Sequence, residues 1–308
     1  MSIVKGGEEE LLADTIDSIG RQLFPNWKFS VLADFACPDT MFEELEPLRW
    51  VHTAEESVEP LQELISLVDA DWVGLLPPGT VLEPTFLFHT YRHLRDRQKV
   101  NAIYFDSDER DGDNSSCNPR FRPDFNLDLL LSTDYLGEVC LFRKDEVTTQ
   151  MLSSRHHARS FATVLSLYER FGNDAIGHLA FPLYHVMLRI DQRETQGTAD
   201  ERRAILAGYF ARTDHRVDIA PGFTDDSFFL TYRHEGEPLV SILIPTKNNA
   251  ALLERCITTL LNKTSYRNYE ILVIDNQSTD PSTLAYLETI GVSRPNLRVI
   301  KYPRPFNF

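Results

Sequence analysis

The sequence predicts an α/β protein with a mostly parallel, Rossmann-like sheet that is covered by helices on both faces. Short apolar segments alternate with helix-length segments from the first residue onward, as in chains that build parallel sheets. The helix-length segments carry apolar residues at helical spacing. A strand–helix–strand layout at the amino terminus returns after residue 237, which indicates one module used twice.

The first module is expected to form strands at its apolar runs and helices between them. The strand candidates are Phe29–Ala33, Leu48–Val51, Trp72–Leu76, Ala102–Phe105 and Glu138–Phe142. The helix candidates include Glu8–Gln22 and Val58–Val68. Between residues 107 and 128 the chain is polar and rich in turn residues, which predicts a long loop.

The second module begins after a charged stretch. We expect a first domain at 1–190, an inter-domain segment with a helix near Ala199–Ala211 at 191–236, and a second domain at 237–308. The elements expected in the second domain are strands Leu239–Ile244, Glu270–Ile274 and Leu297–Tyr302 and helices Ala250–Leu261 and Ser282–Ile290. Its first two strands are almost entirely apolar, which is typical of central strands.

Composition narrows the classes of function. The 308 residues include 31 Lys+Arg and 46 Asp+Glu, and the formal charge of -15 opposes unspecific binding to nucleic acid. No secretion signal opens the sequence and no apolar run reaches the roughly 18 residues that span a bilayer, so we expect a cytoplasmic protein. The four cysteines form no Cys-x-x-Cys pair, so neither a zinc knuckle nor a disulfide framework is predicted.

Three segments of the second module carry a family motif. They are Ser241–Asn249, where a strand runs into a Pro-Thr turn, Val273–Asp280, where a strand runs into an acidic turn, and Tyr302–Phe308. Together they closely resemble the start of the family 2 glycosyltransferases of the GT-A fold. The whole chain resembles the tandem-domain members that build bacterial surface polysaccharides, and residues 1–188 resemble a degenerate copy.

The resemblance implies a nucleotide-sugar pocket in the second module. In that family the turn after the first strand faces the nucleotide, and the Asp that closes the second strand hydrogen-bonds the base. The matching residues here are Pro245, Thr246, Lys247 and Asp275. Open α/β sheets bind ligands at the carboxyl ends of their strands, so the physical expectation agrees. An alternative stays open, in which Asp275–Asp280 is a helix-capping turn.

The resemblance also implies Mg²⁺ or Mn²⁺, which would neutralise the leaving pyrophosphate, and a carboxylate base. In the first module, Ala33 and Pro77–Thr80 stand where the family has its base-reading Asp and its metal motif. The second module ends before that motif, so we expect the motif to be missing. Asp106 and Asp108 form an Asp-x-Asp pattern that indicates either a metal site or a solvated acidic loop.

These expectations predict a family 2 glycosyltransferase-like chain. It would move a sugar from a UDP- or dTDP-type nucleotide diphosphate to a glycan acceptor, peripheral to the membrane machinery of surface polysaccharide or glycoconjugate assembly. The missing motifs predict a truncated fragment that is itself inactive. Two alternatives stay open: a non-catalytic binding or scaffold protein derived from a glycosyltransferase, and metal-independent transfer in which Arg120 and Arg122 replace the cation.

Overall fold

The predicted α/β class is confirmed, because helices and strands alternate along the chain. The structure is a computed structural model that describes residues 1–38, 47–53, 58–111, 115–148, 156–187, 195–224 and 227–305. The chain divides into two compact units, Met1–Tyr232 and Arg233–Phe308. The described residues of the expected inter-domain segment therefore belong to the first unit as far as Tyr232.

Three parallel strands form the amino-terminal sheet of the first unit. They are β1 (Ser2–Val4), β2 (Phe29–Ala33) and β3 (Leu48–His52), in the order β1-β2-β3. Helix α1 (Glu9–Gly20) joins β1 to β2 and buries Leu12 and Ile19 against the sheet. Every residue of β2 is buried, which fits its apolar sequence and its central place.

The second sheet of this unit has six strands. The elements that follow β3 are α2 (Val58–Leu67), β4 (Trp72–Gly74), β5 (Thr80–Leu82), α3 (Phe86–Leu94), β6 (Ala102–Arg110), β7 (Ser116–Arg120), α4 (Leu127–Ser132), β8 (Cys140–Arg143), α5 (His156–Phe171) and β9 (Ile176–Met187). The strand order is β4-β8-β6-β9-β5, with β7 paired to β6. Only the β6–β9 pair of this described sheet is parallel, and the antiparallel pairs were not predicted.

The prediction of a long loop between residues 107 and 128 is wrong, because strands β6 and β7 form a β-hairpin there and α4 follows it. Strand β6 continues to Arg110, and β7 pairs with it in antiparallel register. Glu109 accepts hydrogen bonds from Asn118 Nδ2 at 2.8 Å and from Arg120 Nη2 at 2.9 Å. The polar side chains thus bond to one another across the two strands, which allows a polar sequence to form a sheet.

A helix and a hairpin complete the first unit. Helix α6 (Thr195–Arg212) confirms the helix expected near Ala199–Ala211, and β10 (Val217–Pro221) pairs with β11 (Phe228–Tyr232). Leu206 and Phe210 of α6 join a buried cluster that also contains Phe161 of α5. In the described ranges, no helix has both the length and the apolar character needed to cross a bilayer.

The second unit confirms all five elements expected there. They are β12 (Val240–Thr246), α7 (Ala250–Lys263), β13 (Tyr269–Asp275), α8 (Pro281–Ser293) and β14 (Leu297–Lys301). The strands form a parallel sheet in the order β12-β13-β14, and Ile271 and Val273 of β13 are fully buried. Strand β12 lies at an edge of this described sheet with Leu243 60% exposed, although its apolar sequence is typical of a central strand.

Candidate functional site

The parallel register of β12 and β13 brings the predicted binding residues to one edge of the sheet. Thr246 lies opposite Asp275, and Pro245 lies opposite Ile274. Lys247 follows β12 directly and is exposed. The carboxyl ends of adjacent parallel strands form the crevice where open α/β sheets bind ligands. The geometry therefore suits a binding site, and the nucleotide-binding role of these residues stays a prediction.

Asp275 and Asp280 have different tasks in the acidic turn. Asp275 is only 5% exposed; its Oδ1 accepts a hydrogen bond from Ser278 N at 3.0 Å, whereas its Oδ2 accepts none from any described residue. Asp280 caps α8, because its Oδ2 accepts a hydrogen bond from Thr283 N at 2.8 Å. Hydrogen bonds from Ser282 and Thr283 lower the pKa of Asp280. Helix capping thus falls to Asp280 and leaves one oxygen of Asp275 available.

Asn248 joins the turn after β12 to the turn after β13. Its Oδ1 accepts hydrogen bonds from the backbone N–H of Thr279 at 2.6 Å and of Asp280 at 2.9 Å. Its backbone has φ +51°, a left-handed conformation that Asn adopts more readily than most residues. Sequence reasoning missed Asn248, although an Asn just after a strand end is a signal for such a turn. The two walls of the crevice are therefore tied together by the protein itself.

Asn276 ties the segment after β14 to the same edge. Its backbone N donates to Thr246 O at 2.9 Å, and its Nδ2 donates to Arg304 O at 2.7 Å. The backbone of Tyr302 donates to Asp275 O at 2.8 Å. The last residues of the third motif, 306–308, lie outside the described residues.

Two groups that favour anions follow β12 in the sequence, the ammonium of Lys247 and the N-terminus of α7. The ammonium of Lys247 makes no hydrogen bond or ion pair with any described residue. Helix α7 begins close by in sequence, where Asn249 caps it by accepting a hydrogen bond from Leu252 N at 3.2 Å. An ammonium and a helix N-terminus both favour anions, and a carboxylate oxygen favours N–H donors. This edge of the sheet thus carries an acceptor for N–H donors and groups that favour an anion.

The first unit repeats this strand-end geometry without the carboxylate. Val4 lies opposite Ala33 just as Thr246 lies opposite Asp275, and the sequence spacing within each pair is the same. In both units the residue after the third strand donates its backbone N–H to the last residue of the second strand, at 2.8 Å in each case. Ala33 therefore occupies the backbone position of Asp275.

Asp106 and Asp108 are buried within β6, at 2% and 9% exposure, so the solvated-loop interpretation of these two residues is wrong. His178 Nε2 lies 3.0 Å from Asp106 Oδ1, which also accepts a hydrogen bond from Arg122 N at 2.8 Å. His185 Nδ1 contacts Asp108 Oδ1. Across the described residues, no group of three or more His, Cys, Asp or Glu side chains is arranged to hold a metal ion. These contacts do not fit the predicted metal role of the pair.

Arg122 and Arg120 are also committed to protein contacts. All five N–H donors of the Arg122 guanidinium have acceptors. The acceptors are the carbonyl oxygens of Phe105, Arg120 and Tyr135 and the hydroxyls of Ser107 and Tyr184. Arg120 pairs with Glu109 at 2.9 Å. Neither arginine is placed to substitute for a metal cation.

Comparison with known proteins gives one family match and two relatives. Residues 241–308 match the model described as Glycosyl transferase family 2. Over 97% of its length the chain is 26% identical to "Uncharacterized protein y4gI" of Sinorhizobium fredii. Over 99% of its length it is 27% identical to "O-antigen biosynthesis protein RfbC" of Myxococcus xanthus. The chain spans 35% and 25% of the lengths of these two relatives.

Among solved structures, the chain is similar to S. aureus TarS 1-349 in complex with UDP-GlcNAc. The TM-score is 0.47 and the identity is 11%, over 66% of this chain and 64% of that chain. The family match bears directly on the candidate site, because residues 241–308 contain both strand ends that form the crevice.

Proposed function

We propose that this chain takes part in moving a sugar from a nucleotide diphosphate of the UDP or dTDP type to a glycan acceptor in surface polysaccharide or glycoconjugate assembly. The observation that carries the proposal is the crevice at the ends of β12 and β13. There the buried Asp275 keeps an oxygen free, and Lys247 follows Thr246, the residue opposite Asp275 in the sheet. The family match over the same residues and the similarity to an O-antigen biosynthesis protein support it.

In this proposal the two charged groups divide the nucleotide between them. Asp275 Oδ2 accepts an N–H of the pyrimidine base, and the hydrogen bond from Ser278 holds the carboxylate in place. Lys247 and the start of α7 face the diphosphate. Mg²⁺ or Mn²⁺ remains an expectation from the family, and since no described residues fit a metal ion, no step is assigned to one.

Calorimetric titration of the full chain with UDP and with dTDP tests the pocket. Asp275→Asn keeps an oxygen for the Ser278 N–H but replaces a charged acceptor. We therefore expect binding at least about tenfold weaker, since a hydrogen bond to a charged group contributes roughly 1.5–3 kcal/mol. Glu288→Ala, which removes an exposed carboxylate further along α8, is the matched control and should bind as the wild type does. Equal affinity in wild type and Asp275→Asn, or no binding by the wild type, would contradict the proposal.

A second candidate function, a non-catalytic binding or scaffold protein, is favoured by one observation. Ala33 stands in the first unit where Asp275 stands in the second, so that unit lacks the base-reading carboxylate. A donor-hydrolysis assay with and without chelator separates the candidates. Nucleotide binding without hydrolysis under any metal condition would support the scaffold and the predicted inactivity, whereas chelator-sensitive hydrolysis would support the transferase.

The proposal places the protein in the cytoplasm, peripheral to the membrane machinery of polysaccharide assembly. Cell fractionation tests this placement. The protein should appear in the soluble fraction or in a membrane fraction from which high salt releases it. Release only by detergent would count against it.

A further inference from the structure

A cleft of about 890 Å³ opens in the first unit at the amino ends of β6 and β9. Its walls come from the end of α3 and the segment that leads into β6, from the residues just before α4, and from the turn before β9. The volume lies within the range of small-molecule sites. None of its lining residues belongs to the strand-end crevice, so the cleft is a separate candidate site.

The carboxylates that line the cleft already have side-chain partners. The pairs are Arg95–Asp96 at 3.2 Å, Lys99–Asp174 at 3.5 Å and His178–Asp124 at 3.1 Å. Arg97 faces no carboxylate among the described residues. Its Nη1 donates to His93 O at 2.9 Å, and its remaining N–H groups have no described acceptor. The cleft therefore presents a guanidinium that is available to an anion.

The imidazole of His93 also lines the cleft. Burial is the main cause that lowers the pKa of His93, and the neighbouring charges of Arg97 and His178 lower it further. A bound anion would reverse the effect, because it would favour the protonated ring.

Groups suited to sugar hydroxyls lie beside these cations. The side chain of Asp124 is 98% exposed, and its Oδ1 is held by His178, which is 3% exposed and stacks on Tyr104 at 4.7 Å. Asp124 Oδ2 accepts no hydrogen bond from any described residue and is open to solvent at the lining of the cleft. Gln98 and Asn173 add amide donors and acceptors to the lining.

We propose that this cleft binds a hexose phosphate, with Arg97 and His93 holding the phosphoryl group and Asp124 accepting sugar hydroxyls. A phosphoryl group matches a free guanidinium, and the exposed carboxylate and amides match a ring of hydroxyls. The same chemistry occurs in a free sugar phosphate and in a sugar linked through phosphate to a lipid. The inference does not rest on the nucleotide-sugar proposal, because it concerns different residues in the other unit.

The full chain is titrated with glucose 1-phosphate and with galactose 1-phosphate to test the proposal. Binding is measured by calorimetry and by the NMR signals of the histidine rings. We expect a dissociation constant of about 1 mM or lower, corresponding to roughly 4 kcal/mol, with weaker binding of glucose and of inorganic phosphate. The pKa of His93 should rise on binding. A parallel arm with vesicles that carry polyprenyl-phosphate glucose separates the sources, since tighter binding in either arm identifies the natural form.

Variants sharpen the test. Arg97→Gln should weaken binding at least about tenfold, whereas Arg49→Gln, an exposed arginine on β3, should leave it unchanged. Asp124→Asn should weaken the binding of hexose phosphates but not the binding of inorganic phosphate. Asp275→Asn, in the other unit, should change the binding of neither ligand. Absence of binding in both arms, equal affinity for inorganic phosphate and hexose phosphates, or an unaffected Arg97→Gln would overturn the proposal.

Discussion

His185 of β9 shows how a polar residue becomes part of the core. His185 is 4% exposed and contacts Asp108 Oδ1 through Nδ1, while its Nε2 lies 2.6 Å from Glu83 Oε1. A ring that faces carboxylates on both sides satisfies both only when both nitrogens carry a proton. The imidazole therefore links β6 and β9 to Glu83, the residue after β5, just beyond the segment Phe105–Ser107 where the register of β9 shifts against β6.

Removing this ring should be strongly destabilising. His185→Ala leaves Asp108 buried without its imidazole partner, whereas Glu83 keeps Arg110 at 3.6 Å, and removing one partner of a buried pair costs about 3–5 kcal/mol. Urea unfolding followed by circular dichroism measures the loss. His234→Ala, at an exposed position outside the sheet, is the control and should change stability by less than about 0.5 kcal/mol. A His185→Ala protein as stable as the control would show that the bridge contributes nothing.

The cysteines should differ sharply in reactivity. Burial raises the pKa of Cys140 to about 12, so its thiolate is scarce in the folded protein, whereas Cys256 is exposed. At pH 8, Ellman's reagent should label Cys256 quickly and Cys140 only after unfolding. The folded state disfavours the Cys140 thiolate, so this group should also lower stability as pH rises from about 9 towards 12. Mass spectrometry of labelled peptides decides, and rapid native labelling of Cys140 would contradict its burial.

At the scale of elements, Gly137, which lies between α4 and β8, leaves the space that the Arg122 side chain occupies. Gly137 has φ +83°, and an added Cβ would lie 2.3 Å from Arg122 Nη2 and 2.6 Å from the Tyr184 hydroxyl. Gly137→Ala should therefore displace the guanidinium and cost roughly 1–3 kcal/mol beyond the cost of the backbone conformation.

Gly7→Ala is the matched control for that change. Gly7 has φ +98°, but nothing lies within 4 Å of an added Cβ. Its loss of stability should be limited to about 1–2 kcal/mol from the left-handed backbone. Thermal unfolding of the two variants compares them, and equal losses would show that the Arg122 contacts are not strained.

Strand β12 should be a site of self-association. It is an edge strand among the described residues and carries an exposed apolar Leu243, which favours pairing with other strands. Leu243→Lys should lower light scattering at rising protein concentration. Leu252→Lys replaces a leucine of similar exposure, 62%, on helix α7 and should have little effect. Equal improvement by both variants would indicate general charge and not the strand edge.

The strands of the second unit were predictable from their apolar runs. These strands contain few polar residues, so the apolar pattern is clear in the sequence. The sequence of β6 changes from Ala-Ile-Tyr-Phe to Asp-Ser-Asp-Glu-Arg in mid-strand. Its polar half finds partners in the adjacent strand β7 and in His178 and His185, which lie 72 and 77 residues further along the chain from Asp106 and Asp108. Such partners are invisible to local patterns, so the strand was cut short in prediction.

At the scale of the whole molecule, the two units have separate cores. The buried cluster of the second unit contains Leu253, Ile271 and Leu287 and draws on residues of that unit alone. Ile271→Ala should therefore destabilise the second unit by about 2–5 kcal/mol. Native-state hydrogen exchange should become faster in β13 and stay unchanged in β6. Equal acceleration in both strands would show that the chain unfolds as one cooperative unit.

The position of the candidate site was predictable, whereas its internal bonding was not. A parallel sheet brings Thr246 and Asp275 together by register alone, which the strand pattern fixes. The hydrogen bonds of Asn248 and Asn276 depend on turn conformations and on the course of the chain after β14. The cleft beside Arg97 was missed for a similar reason, because three distant segments build it.

Ala33, the last residue of β2, is an internal control for Asp275, the last residue of β13. Ala33 and Asp275 share a strand register and a backbone contact, and they differ in a single carboxyl group. A nucleotide that binds at Asp275 and not at Ala33 would therefore show that the shared strand register alone is not enough, and that the side chains around the strand end make the site.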